Sequence, residues 1–150
     1  MSDTQVQNRS SQFSLFKTKA AFRLGLERPV EQFKVGCLSI QMAPFKEKRG
    51  ENSIYDWENK KVSIKIGTND ILKFLKAFSE GSSVDIFHKF GEATKSIKMT
   101  PKEGGGYFFS VTGKDANGES FNLSIPIATE EMYGLDVLFR AALPAILNWN

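Results

Sequence analysis

A chain of 150 residues is long enough for one domain whose core needs neither disulfides nor a metal. With 41% hydrophobic and 25% charged residues the composition is globular, and no apolar run reaches the roughly 18 residues of a membrane span. The net charge of +3 is unevenly placed: residues 1–66 carry 12 Lys/Arg against 7 Asp/Glu, and residues 67–150 carry 8 against 10.

Residues 1–12 are polar, without the apolar stretch of a secretory signal, and are expected to be a flexible tail. Residues 13–150 are expected to form a single domain. Strands are predicted at 13–17 and 20–26, and most clearly at 35–44, where Leu38, Ile40 and Met42 share one face. Pro44 is expected to end that strand, with residues 46–50 (KEKRG) as a charged loop. Alternation resumes over 54–66, with Val62, Ile64 and Ile66 inward. The period then changes. Thr68, Asn69 and Asp70 offer helix capping, and Ile71, Phe74, Leu75 and Phe78 follow at helical spacing until Gly81. Four more strands are expected at 84–90, 94–100, 107–112 and 119–127, with Asn117-Gly118 as a tight-turn signal. A last helix begins at a cap-like Thr129 with Glu130 and Glu131 in its first turn. It is apolar nearly all round, so a second subunit is expected to cover the side that one sheet cannot. Pro144 is expected to kink or break it near residues 140–143. The class is α+β, in the order β4-α-β4-α.

With one cysteine, Cys37, and one histidine, His88, the chain forms no internal disulfide and falls short of the four or so ligands of a Cys/His zinc site. No G-x-S-x-G nucleophile motif is present. An enzyme is therefore disfavoured, and neither cofactor, metal nor small-molecule substrate is expected. His88 reads as a satisfied structural histidine, Cys37 as a small buried residue, and Asp136 and Arg140 as an i, i+4 pair. The thirteen phenylalanines and the basic first half suit either a filled core under a lysine surface or a surface that stacks bases beside phosphates.

The chain resembles the Whirly family of single-stranded DNA-binding proteins. That family's signature Lys-Gly-Lys-Ala-Ala-Leu-Ser is matched by Lys17-Thr18-Lys19-Ala20-Ala21-Phe22-Arg23. An apolar strand ending in Ala43-Pro44, Tyr55-Asp56-Trp57, Lys60-Lys61-Val62, Phe87-His88, residues 107–111, Ile125-Pro126-Ile127, Leu143-Pro144 and Trp149 follow in order. Thr18 departs from the motif's glycine, and Phe22-Arg23 from its Leu-Ser. The resemblance implies two four-stranded antiparallel sheets packed crosswise, with C-terminal helices forming a tetramer interface. It also implies single-stranded DNA bound between protomers with little sequence preference, and a part for Lys19 in assembly beyond the tetramer.

On this reading Phe16, Lys17, Lys19, Phe22 and Arg23 interleave rings and cations for stacking and phosphate contact; otherwise they form a solvated strand face with Phe16 and Phe22 inside. Tyr55 and Trp57 are expected on one face beside Lys46 and Lys48. Phe87 and Lys89 form a second candidate patch. Leu135, Leu138, Phe139, Ala142, Leu143 and Ile146 are the expected oligomer interface. The expected function is non-catalytic coating or protection of exposed strands in replication, recombination or repair, in the cytoplasm or nucleoid. The rivals are an RNA-binding or annealing protein, a structural oligomerisation module and, more distantly, a hydrolase using His88.

Overall fold

The computed structural model describes residues 12–30 and 35–149. The expected tail lies outside these residues except for Gln12, which opens the first strand. The first sheet contains β1 (Gln12–Phe16), β2 (Ala20–Glu27), β3 (Cys37–Arg49), β4 (Asn52–Tyr55) and β5 (Val62–Ile66). All pairings are antiparallel. β1, β2 and β3 lie side by side, and both β4 and β5 pair with β3. β5 runs from Leu38↔Ile66 to Met42↔Val62, and β4 from Phe45↔Tyr55 to Arg49↔Asn52. The fourth lane is therefore shared by two strands, where alternation alone predicts one strand over 54–66. The break is a turn built by Asp56: its carboxylate accepts from the Asn59 amide (3.0 Å) and its carbonyl from the Lys60 amide (3.2 Å).

Pro44 does not end β3. It falls where the partner changes from β5 to β4, beside a bulge between Phe45 and Glu47, a position at which a missing N–H is tolerated. Residues 46–49 thus form one side of a two-stranded arm and not a loop, and Gly50 (φ 63°) turns its tip.

After β5 comes α1 (Thr68–Glu80), which buries Ile71, Phe74 and Ala77 and stops at Gly81 in the left-handed region (φ 67°). The expected side-chain cap is absent: Gly67 is the N-cap, and Asp70 is engaged with His88 instead. The second sheet, β6 (Val84–Phe90), β7 (Ala93–Pro101), β8 (Tyr107–Lys114) and β9 (Ser120–Ile127), is a simple antiparallel meander. Alternation sends Val84, Ile86, Ile97, Met99, Tyr107, Phe109, Val111, Ile125 and Ile127 inward, all buried. One core joins the two sheets and the helices. The Phe22 ring meets the Phe109 ring edge-on (5.4 Å), and Phe74 lies between Phe109 and Phe139 (6.4 and 5.1 Å). Each such ring contributes about 1.5–3 kcal/mol by leaving water.

The last helix, α2 (Thr129–Ile146), has Ala128 as N-cap, one residue before the cap expected from sequence. It runs through Pro144, which lies in its last turn; the one carbonyl deprived of a donor belongs to the exposed Arg140, where water can serve it. Leu135, Phe139, Ala142 and Ile146 recur every three or four residues and are buried against the chain's own core. These four expected interface residues are therefore core. Leu143 is half-buried and Leu138 is exposed. The opposite side of α2 exposes Tyr133 and Val137 next to Leu138, with Leu147 and Trp149 beyond the helix end. Among the described residues, no helix is long and apolar enough to cross a membrane.

Candidate nucleic-acid interface

The outer face of the first sheet follows from its register. Leu15 pairs with Phe22 and Phe13 with Leu24, so these point inward; Phe16 pairs with Ala21 and Ser14 with Arg23, so these point outward. Ala21 pairs in turn with Ala43, and Arg23 with Gln41. Ala21 and Ala43 face out yet have no exposed surface. The cover is aromatic. Tyr55 reaches from β4 over β3 and β2, and its hydroxyl donates to the Lys17 carbonyl in the β1–β2 turn (2.6 Å). Phe16 and Phe45 flank its ring at 5.8 and 6.1 Å. Small side chains at 21 and 43 leave room for that ring, and Phe16 (63% exposed) and Phe45 (39%) stay open to solvent.

Trp57 does not continue the β4 alternation, because it lies in the Asp56 turn. It reaches the same face another way: the Arg23 guanidinium stands 4.0 Å from its ring centroid. The bulge in β3 adds a cation. Two residues of β3 oppose one of β4 there, so Lys48, paired with Ser53, shares the face of Tyr55 and Phe45; an unbroken strand would turn it away. Lys46 is the extra residue of the bulge, and both lysines are exposed. A shallow depression of about 190 Å³ bounded by Gln12, Arg23, Ser39 and Gln41 continues the face along the sheet.

Of the residues expected from sequence, Phe16, Lys19, Arg23, Lys46, Lys48, Tyr55 and Trp57 belong to this face or its margin. Phe22 does not. At 1% exposure, with its ring against Phe109, it cannot meet a base; its position two residues from both Ala20 and Leu24 puts it inside. Phe87 and Lys89 are exposed, but on the second sheet, away from the others. Phe45 was missed because Pro44 seemed to end its strand.

Lys17 is engaged. Its ammonium donates to both Glu131 carboxylate oxygens (2.7 and 2.9 Å), with both side chains less than a quarter exposed. Glu131 also accepts from the Ala128 amide (2.8 Å), so one carboxylate caps α2 and pins the β1–β2 turn to it. Burial pushes the Glu131 carboxyl up, but the bonds from Lys17 and Ala128 outweigh it and hold the group below its ordinary range. Of the other cations of the face, Lys19, Arg23, Lys46 and Lys48 lie around the rings, and Lys65, beside Ser39, pairs with Glu27 at 3.5 Å.

His88 is placed as sequence suggested, 2.8 Å from the Asp70 carboxylate and half-buried, tying β6 to α1. Lys95, its cross-strand neighbour, donates to the Ser63 carbonyl, and burial lowers the pKa of its ammonium. Cys37 is half-buried at the sheet surface and not in the core; burial and the Glu27 charge raise its thiol pKa against the pull of Lys65. Asp136 and Arg140 form the expected pair at 3.2 Å.

A ring platform flanked by cations can stack bases while neutralising phosphates, a sequence-tolerant way to hold an unpaired strand. The chain is similar to known proteins in both sequence and fold. The family model described as Whirly transcription factor matches residues 13–138. The mitochondrial single-stranded DNA-binding protein WHY2 of Arabidopsis thaliana is 28% identical over 153 residues, covering 92% of this chain; the chain spans 63% of that protein's length. The crystal structures of WHY3 and WHY1 from Arabidopsis thaliana each superpose with a TM-score of 0.82 at 25% identity, covering 95% of this chain and 91% and 93% of theirs.

Proposed function

The chain belongs to the Whirly family, and from that premise we propose that it is a non-catalytic protein that binds single-stranded DNA with little sequence preference. It coats exposed strands and protects them during replication, recombination or repair, in the cytoplasm or nucleoid. The observation that carries this reading is the outer face of the first sheet, where Phe16, Phe45, Tyr55 and Trp57 lie among Arg23, Lys48 and Lys19. Rings take bases of any identity, each worth about 1–3 kcal/mol, and cations track the phosphates.

The working unit is a homo-oligomer, a tetramer, held by the outward side of α2. Tyr133, Val137 and Leu138 leave an apolar stripe there that the described residues do not cover. Gel shifts over a range of ionic strength, with single-stranded, duplex and RNA competitors, test the reading. It expects affinity that falls with salt and a clear preference for unpaired DNA. Equal competition by duplex would refute it, and preference for RNA would move the function to RNA binding.

A further inference from the structure

The inner face of the second sheet changes character near one end. Ile86, Ile97, Val111 and Leu123 stand side by side across its four strands and belong to the core or pack on it. Two residues along, still pointing inward, the row reads His88, Lys95, Gly113 and Phe121. An imidazole and an ammonium thus stand at the rim of the core, as cross-strand partners whose Cβ atoms lie about 4.5–5.5 Å apart.

Both groups are held in place. The Asp70 carboxylate of α1 takes His88 Nε2 at 2.8 Å, with the two side chains 17% and 20% exposed. A carboxylate can only accept, so Nε2 carries the proton and Nδ1 keeps its lone pair. Lys95 Nζ donates across to the Ser63 carbonyl of β5 and so ties the second sheet to the first. Gly113 puts no side chain on the other flank of Lys95, and the Phe121 ring leans in there: a Cβ at Gly113 would meet it at 3.0 Å. Lys17, also half-buried, has a carboxylate against its ammonium; among the described residues Lys95 has a neutral carbonyl and the imidazole. Burial lowers the pKa of the Lys95 ammonium accordingly. An amine that sheds its proton is a nucleophile, and an imidazole oriented by a carboxylate is suited to receive such a proton.

We propose that Lys95 is a modification site, acylated at its side-chain nitrogen by a small activated acyl donor (an acyl phosphate or an acyl thioester), and that acylation loosens the tie between the two sheets. The amine lone pair attacks the acyl carbon and a C–N bond forms. The C–O bond to phosphate, or the C–S bond to the thiol, breaks, and the leaving group departs with the bonding pair. The proton shed by nitrogen passes to His88 Nδ1 and from there to water. The product amide is neutral, so the Ser63 carbonyl loses a charged donor. The site lies apart from the Tyr55 face and does not depend on the proposed binding of DNA.

Native protein is incubated with acetyl phosphate and, in parallel, with acetyl-CoA, and initial rates of acetylation are read at each lysine by peptide mass spectrometry. The internal reference is Lys98, on the same strand but exposed on the opposite face. Lys95 is expected to react several-fold faster than Lys98 with at least one donor, and the arm in which it does so identifies the donor class. In urea-unfolded protein that advantage should vanish. Equal or slower reaction at Lys95 with both donors overturns the site. An advantage that persists in urea belongs to the local sequence and not to the fold, and overturns it too. His88→Gln should bring the Lys95 rate down towards that of Lys98 while leaving Lys98 unchanged; an unaltered Lys95 rate contradicts the proton transfer to the imidazole. Lys95→Gln, neutral like the acylated residue, should lower the midpoint of thermal unfolding by roughly 2–4 °C, the scale of one charge-assisted hydrogen bond in a chain of this size. An unchanged midpoint contradicts the loosening.

Discussion

Glu131→Gln is expected to loosen the fold slightly while tightening the grip on DNA. Glutamine keeps the shape and can still accept from the Ala128 amide, so the change removes the charge that neutralises Lys17 and little else. A charge-assisted hydrogen bond is worth about 1.5–3 kcal/mol. Part of that survives, because the glutamine oxygen still accepts from Lys17, so the net loss is about 1 kcal/mol. For a chain of this size, about 1 kcal/mol lowers the midpoint of thermal unfolding by roughly 2–4 °C. In the native protein a phosphate must displace the Glu131 carboxylate to reach Lys17; in the variant it displaces only a neutral amide, about 1 kcal/mol less tightly held. The same ~1 kcal/mol then appears as roughly fivefold tighter binding. One added phosphate contact also steepens the slope of log affinity against log salt by up to about 0.7. Fluorescence anisotropy of a labelled oligothymidylate at several salt concentrations reads both quantities. A lowered melting point with unchanged affinity and salt slope would show that Lys17 is a strut and never meets phosphate.

The same pair makes a pH prediction. The Glu131 carboxyl is held below its ordinary range in the folded state, so its contribution is complete above that range and is lost as pH falls through the folded value; melting curves of Glu131→Gln should lose this part of the acid dependence. Phe22→Ala and Phe16→Ala should separate core from surface. The first opens a cavity beside Phe109 and costs about 3–5 kcal/mol in urea denaturation. The second changes stability by less than about 0.5 kcal/mol and weakens oligothymidylate binding by about 1–3 kcal/mol. Val137→Glu should lower the oligomer's mass in sedimentation velocity, with or without bound oligothymidylate, and leave the melting point of the monomer nearly unchanged; an unaltered mass would remove α2 from the interface.

The strands were legible because each buries one side, and period-2 alternation exposes that directly; β6 matches the sequence expectation to the residue. The division of the fourth lane was not, because the Asp56 turn depends on hydrogen bonds that hydropathy does not register. Phe22 misled because cations flank it, yet its parity with Ala20 and Leu24 already placed it inside. The α2 residues misled for the opposite reason. A helix apolar all round carries no mark of which side its own chain covers, and Leu135, Phe139, Ala142 and Ile146 took the inner one. The Lys17 partner is 114 residues away, beyond any local pattern. Lys48 gained its place from a bulge, which shifts side-chain parity by one and leaves no trace in composition.

The most direct test of the Tyr55–Trp57 face follows the indole itself. Trp149→Phe leaves Trp57 as the sole tryptophan. Its emission should be quenched on titration with oligothymidylate, recover as salt is raised, and respond far less to duplex of equal length. Unchanged Trp57 emission while anisotropy reports bound strand would place the DNA elsewhere and contradict the account.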